Sequence, residues 1–201
     1  MTTKNLIIYL LVILSLTSCQ QNGKANSHND PSNFRAFKTF IQKFKTLQIP
    51  IAFNTSCYEP DSTNSVKLDM DNDSIFINYV GPAVTVGLLP DTINYYAVIY
   101  CTATACYMPT LAVFSKYGIR LSQEQLSHGC GADQGYRCVD SLVIHSIKEI
   151  KSILIEDYYK VDKEGNPVSN TFARSITTDV FSINRTGLIT KKTKIINKNS
   201  Y

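Results

Sequence analysis

Hydrophobic positions along this chain follow two different periods. Phe34, Phe37, Phe40, Ile41, Phe44 and Leu47 recur at spacings of three and four until Pro50, with Asn33 ahead of them as a cap. That spacing predicts an amphipathic helix whose aromatic face packs on a sheet. Beyond a polar connection, short β-branched and aromatic runs take over, at residues 65–69, 74–79, 95–102, 107–115, 138–145, 151–159, 177–184 and 188–194. These predict strands. Lys116-Tyr117-Gly118, Lys163-Glu164-Gly165-Asn166-Pro167 and Asn184-Arg185-Thr186-Gly187 read as hairpin loops. Residues 81–92, with Leu88-Leu89-Pro90, fit neither period. Consecutive strands joined by short loops favour an antiparallel meander. The expected fold class is α+β, an N-terminal amphipathic helix packed on a mainly antiparallel β-sheet meander. An all-β, sandwich-like body is the alternative.

The first nineteen residues follow another logic. Lys4 precedes an apolar run at residues 6–16, and Thr17, Ser18 and Cys19 follow at once. Such a run falls short of the roughly 20 apolar residues that span a bilayer as a helix, and its layout is that of a signal peptide. Leu16-Thr17-Ser18-Cys19 resembles the lipobox of bacterial lipoproteins. The resemblance covers only these nineteen residues. It implies a diacylglyceryl group on the Cys19 thiol, cleavage before Cys19 and acylation of the new amine. Several acyl chains make a stable anchor where one would be marginal. It also implies an outer-membrane address, since Gln20 rather than Asp follows the cysteine. The expected organisation is a cleaved signal peptide at residues 1–18, a lipidated Cys19 with a flexible polar tether to residue 33, and one globular domain over residues 34–201.

The formal charge of +4 loses Lys4 on cleavage, and basic and acidic residues are otherwise mixed, which gives nucleic-acid binding no support. Lys191, Lys192, Lys194 and Lys198 are the exception. Lysines on a terminal strand blunt an exposed sheet edge, the favoured reading, although they would also suit anionic headgroups. Five cysteines remain besides Cys19, and export makes pairing the default. Cys130 and Cys138 bracket a segment containing Gly131 and Gly135 and form the first candidate disulfide. Cys101 and Cys106 flank Thr102-Ala103-Thr104-Ala105, and a four-residue hairpin loop would set them about 4.5 Å apart, within bridging reach. Cys57 is left over.

Candidate chemistry is sparse. Asp69, Asp71 and Asp73 alternate as in a calcium loop, but Ser74 stands for the turn glycine and Val80 for the bidentate Glu, so a solvated turn between strands is expected. His128, Cys130 and Cys138 with Asp133 or Asp140 match no common zinc spacing. For nucleophilic catalysis, Cys57 with His128 or His145 is the visible pairing, in a context that resembles no cysteine-hydrolase signature. Glu156 and Asp157 are adjacent on a strand, so they point to opposite faces and form no acid and base pair. The expectation is therefore a membrane-tethered envelope lipoprotein, noncatalytic and without cofactor or metal, whose partners are the lipid bilayer through acylated Cys19 and an envelope protein or glycan. The alternatives are a thiol-dependent hydrolase using Cys57 and a metal-binding accessory protein with reduced cysteines.

Overall fold

A computed structural model describes residues 31–56, 59, 63–77, 81–90, 93–103, 106–131, 133–169 and 171–199. Cys19 and Cys57 lie outside the described residues. Helix α1 spans Pro31–Gln42. Proline suits a first turn, because the amide hydrogen it lacks has no partner there. Asn33 thus sits inside the helix rather than capping it, and Phe44 and Leu47 follow its end. The aromatic face is nonetheless buried as the periodicity predicts: Phe37, Phe40, Ile41 and Phe44 join Val98, Tyr100, Ala112 and Phe114 in one core cluster.

Nine strands follow among the described residues: β1 (Ile51–Asn54), β2 (Ala83–Leu88), β3 (Tyr95–Ala103), β4 (Tyr107–Ser115), β5 (Arg120–Gln125), β6 (Tyr136–Ser146), β7 (Glu149–Tyr158), β8 (Ala173–Ile183) and β9 (Ile189–Asn199). A four-residue helix, α2 (Met70–Asp73), lies between β1 and β2. The strands form a four-stranded sheet in the order β2-β3-β4-β5 and a five-stranded sheet in the order β1-β6-β7-β8-β9. Every pairing between them is antiparallel. Each sheet is a meander, with β1 added at the edge of the second.

A second core lies between the sheets, where Ala97, Ile99, Leu111 and Val113 meet Leu142, Ile144, Ile150 and Phe181. The body is thus an all-β sandwich with α1 covering one outer face, which corrects the single-sheet α+β expectation. The reason is legible in β3 and β4, whose central residues are buried on both faces, one towards α1 and the other towards the second sheet. A strand buried twice reads as a continuous apolar run and does not say how many layers cover it.

Other expectations also shift. Residues 65–69 make only an isolated bridge, Lys67 to Val84, and the described part of 74–79 is turn. Asp69 caps α2, its carboxylate accepting the Asp71 amide at 2.9 Å. Buried Asp73 accepts Lys43 Nζ at 2.6 Å and the Asp69 amide at 2.7 Å. The aspartates therefore fold a turn onto α1 instead of lying solvated between two strands. Cys130 and Cys138 are bonded, with Cα atoms 5.6 Å apart. Cys101 is a free, buried thiol, so the Cys101 to Cys106 pairing is incorrect. Strand β3 runs on to Ala103, placing Cys101 opposite Pro109; burial pushes its thiol up to about 12. Cys106 is itself disulfide-bonded.

Candidate functional site

The chain leaving β5 crosses towards the second sheet and is pinned there by a buried carboxylate. Asp140 Oδ2 accepts the amides of His128 at 2.8 Å and Gly129 at 3.1 Å. That pinning presents the imidazole to β8, where His128 Nε2 lies 3.1 Å from Asp179 Oδ2. Lys191 Nζ of β9 reaches the same oxygen at 2.7 Å, and the Thr193 hydroxyl donates to Oδ1 at 2.6 Å. Burial alone would push the Asp179 carboxyl up. The bonds from Lys191 and Thr193 outweigh it and hold the group below its ordinary range. A crevice of about 300 Å³ opens beside it, lined also by Glu124 and Ser127.

This cluster orients an imidazole; the Asp179 carboxylate ties strands together, while Asp140 Oδ1 is buried with no hydrogen-bond partner among the described residues. The Ser127 hydroxyl accepts the Gly129 amide and lies 3.5 Å from Met108 Sδ. His145 is exposed on β6, one residue past Ile144, where the register shifts. The proposed zinc ligands Cys130 and Cys138 are oxidised to each other, and among the described residues no group of three acidic, histidine or cysteine side chains is arranged to hold a metal ion. Glu156 accepts the hydroxyls of Tyr136 and Tyr158, both at 2.9 Å, on the sandwich side of β7. Asp157 on the other side takes a two-pronged bond from Arg174 at 2.6 and 2.8 Å, which lowers its carboxyl below the ordinary range. The two carboxylates face apart, as alternation requires.

The larger feature is the outward face of the five-stranded sheet. Register places Val139, Ile155, Ile176 and Ile196 side by side on β6 to β9. Val139 is 50% exposed and Ile196 38%. At about 4.8 Å per strand, the ladder is about 14 Å of β-branched surface facing water. One row to one side lie Arg137, Asp157, Arg174 and Lys198; to the other lie Ser141, Ile153, Thr178 and Lys194, and then Val143, Lys151, Val180 and Lys192. The outward strand positions thus carry six basic residues against two acids, Asp157 and Glu149.

No family model, curated protein or solved structure matches this chain.

Its chemistry is read from its own residues. Sequence reasoning reached the Cys130 to Cys138 pair, His128 and the β9 lysines, but not the tie of His128 and Lys191 to Asp179. It missed the ladder, because four residues up to 57 positions apart become neighbours only through strand register. The available signal was the apolar residue at an otherwise polar alternation site, as at Ile196 within Lys194-Ile195-Ile196-Asn197. Among the described residues no helix is long and apolar enough to cross a membrane.

Proposed function

We propose that this chain is a lipid-anchored envelope protein, noncatalytic, whose domain binds an acidic partner protein through the outward face of the five-stranded sheet. The observation that carries the binding reading is the Val139, Ile155, Ile176 and Ile196 ladder, flanked by Arg137, Arg174 and Lys198 in the row on one side and by Lys194 in the row on the other. A contiguous apolar strip rimmed by polar residues is a common mark of an interaction surface. Its six basic residues against two acids favour a partner with the opposite charge. The lipobox-like Leu16-Thr17-Ser18-Cys19 supports the anchor. Among the described residues no reactive thiol is on offer: Cys106, Cys130 and Cys138 are disulfide-bonded, and Cys101 is buried with its thiol pushed up to about 12.

The test places a photo-crosslinking residue at Ile196 and, as a control on another face, at Tyr117, in the full chain in its native envelope. The expected outcome is one protein adduct at Ile196 and no protein adduct at Tyr117, the former abolished when Lys194→Glu and Lys198→Glu are combined. The purified adduct protein should bind this chain about tenfold more weakly in that variant, with loss of binding at 1 M salt. Equal protein crosslinking at both positions, or binding indifferent to charge reversal, refutes the surface.

A further inference from the structure

The opposite side of the molecule carries a second, differently built groove. It lies between α1 and the β4 to β5 hairpin, encloses about 420 Å³, and is lined by Phe34, Phe37, Lys38, Tyr96, Lys116 and Tyr117 among others. Gly118, at φ +88°, makes the close approach possible: a Cβ there would come within 2.7 Å of the Phe37 ring. The hairpin therefore lies directly on α1 and sets Tyr117, 71% exposed, 6.3 Å from the Phe34 ring. Two ammonium groups sit over aromatic faces here, Lys38 Nζ 4.6 Å from the Phe34 centroid and Lys116 Nζ 3.9 Å from that of Tyr96. No acid lines the groove, and among the described residues neither lysine forms an ion pair.

We infer that this groove docks on the anionic phospholipid surface of the membrane that holds the anchor, an inference that rests on the lipid-anchor reading above. Three observations support it. Exposed aromatics with lysines whose stems lie along apolar surface are the composition of a membrane interface, where rings sit at headgroup depth and ammonium groups meet phosphate. The uncompensated positive charge is complementary to an anionic leaflet, worth about 1 kcal/mol per lysine near the surface, or a factor of about five. The chain fixes proximity as well: eleven residues separate Cys19 from Pro31, a reach of at most about 40 Å. Phe34 lies in the first turn of the helix at the end of that reach. Docking here turns the opposite, ladder-bearing face away from the bilayer.

The chain contains no tryptophan, so Tyr117→Trp supplies a sole indole, excited selectively over the tyrosines at the red edge of absorption, and keeps an aromatic ring at the site. The full mature protein carrying Tyr117→Trp is mixed with vesicles of 30% phosphatidylglycerol in phosphatidylcholine, some containing brominated acyl chains. The expected result is a blue shift with bromine quenching at least twofold greater than for Tyr158→Trp, and about 30-fold weaker docking when Lys38→Gln and Lys116→Gln are combined. Emission that stays at its value in buffer, equal quenching at both positions, or loss of docking only with the β9 lysine variants overturns the inference. A shift produced equally by glycerophosphate in solution overturns the membrane as its source. Intact mass of the same preparation reads acylation of Cys19 separately. Missing acyl mass refutes the anchor, whereas acylated protein whose introduced indole remains in water refutes the groove.

Discussion

Asp179 shows how one side chain serves two strands and a loop. Its carboxylate joins His128, Lys191 and Thr193, and its pKa lies below the ordinary value because those bonds outweigh burial. A depressed carboxyl contributes stability that is complete above its unfolded pKa, near 3.8, and is lost as pH falls through its folded value. Asp179→Asn is therefore expected to lower stability at pH 7 and to show a smaller deficit at pH 2. Lys191 remains two-fifths exposed and water-screened, so the loss is about 1–2 kcal/mol, below the figure for breaking a fully buried pair. Urea midpoints at the two pH values measure it. A deficit that persists undiminished at pH 2 assigns the effect to shape rather than charge. Neither His128 nor Asp179 announces this contact in sequence. Each is an isolated polar residue, 51 positions from the other, brought together by sheet order.

Helix α1 was legible as an element because three-and-four spacing is a local property, while its ends depended on turn chemistry. Phe40 anchors it, fully buried, with ring centroids 5.1 Å from Phe44, 4.9 Å from Phe76 and 5.8 Å from Phe114. Phe40→Ala removes this payload and leaves a cavity, at a cost of about 3–5 kcal/mol. Thermal unfolding should show it as a drop of several degrees, and a change under 1 kcal/mol would mean that α1 adds little to the sandwich. The strands divide similarly. Those that alternate or run apolar, such as β4 and β7, were readable, whereas β5, Arg-Leu-Ser-Gln-Glu-Gln, carries almost no apolar signal. It is a strand because its edge position pairs it to β4 on one side only, and edge strands carry polar residues without penalty.

At the scale of the molecule, the layers run α1, four-stranded sheet, five-stranded sheet, open face. The inter-sheet core covers Leu142, Ile144, Ile150 and Phe181. The distal parts of β6 to β9, around Val139, Glu156, Ser175 and Ile196, extend past it with half-buried or exposed residues on both sides. Backbone bonds under the core open only with global unfolding, while those in the extension open locally. Amides of Ile150 and Phe181 should therefore exchange at least tenfold more slowly than those of Ser175 and Ile196, read residue by residue in hydrogen exchange. Uniform protection would mean that the extension is covered, for instance by a second molecule. The same layering sets the lysine groove and the ladder on opposite faces, so the two proposed contacts would not compete for surface.

What the sequence determined by itself was local and chemical: the helix period, most strand runs, the hairpin loops, the lipobox-like segment, and a Cys130 to Cys138 closure short enough to follow from its glycines. Tertiary structure alone decided the number of layers, the free state of Cys101, the role of Asp179 and the apolar ladder. Each of these depends on which strand lies beside which, and at what register. Alternation fixes the two faces of a strand, but a one-residue slip exchanges them. Only long-range pairing selects which side chains meet.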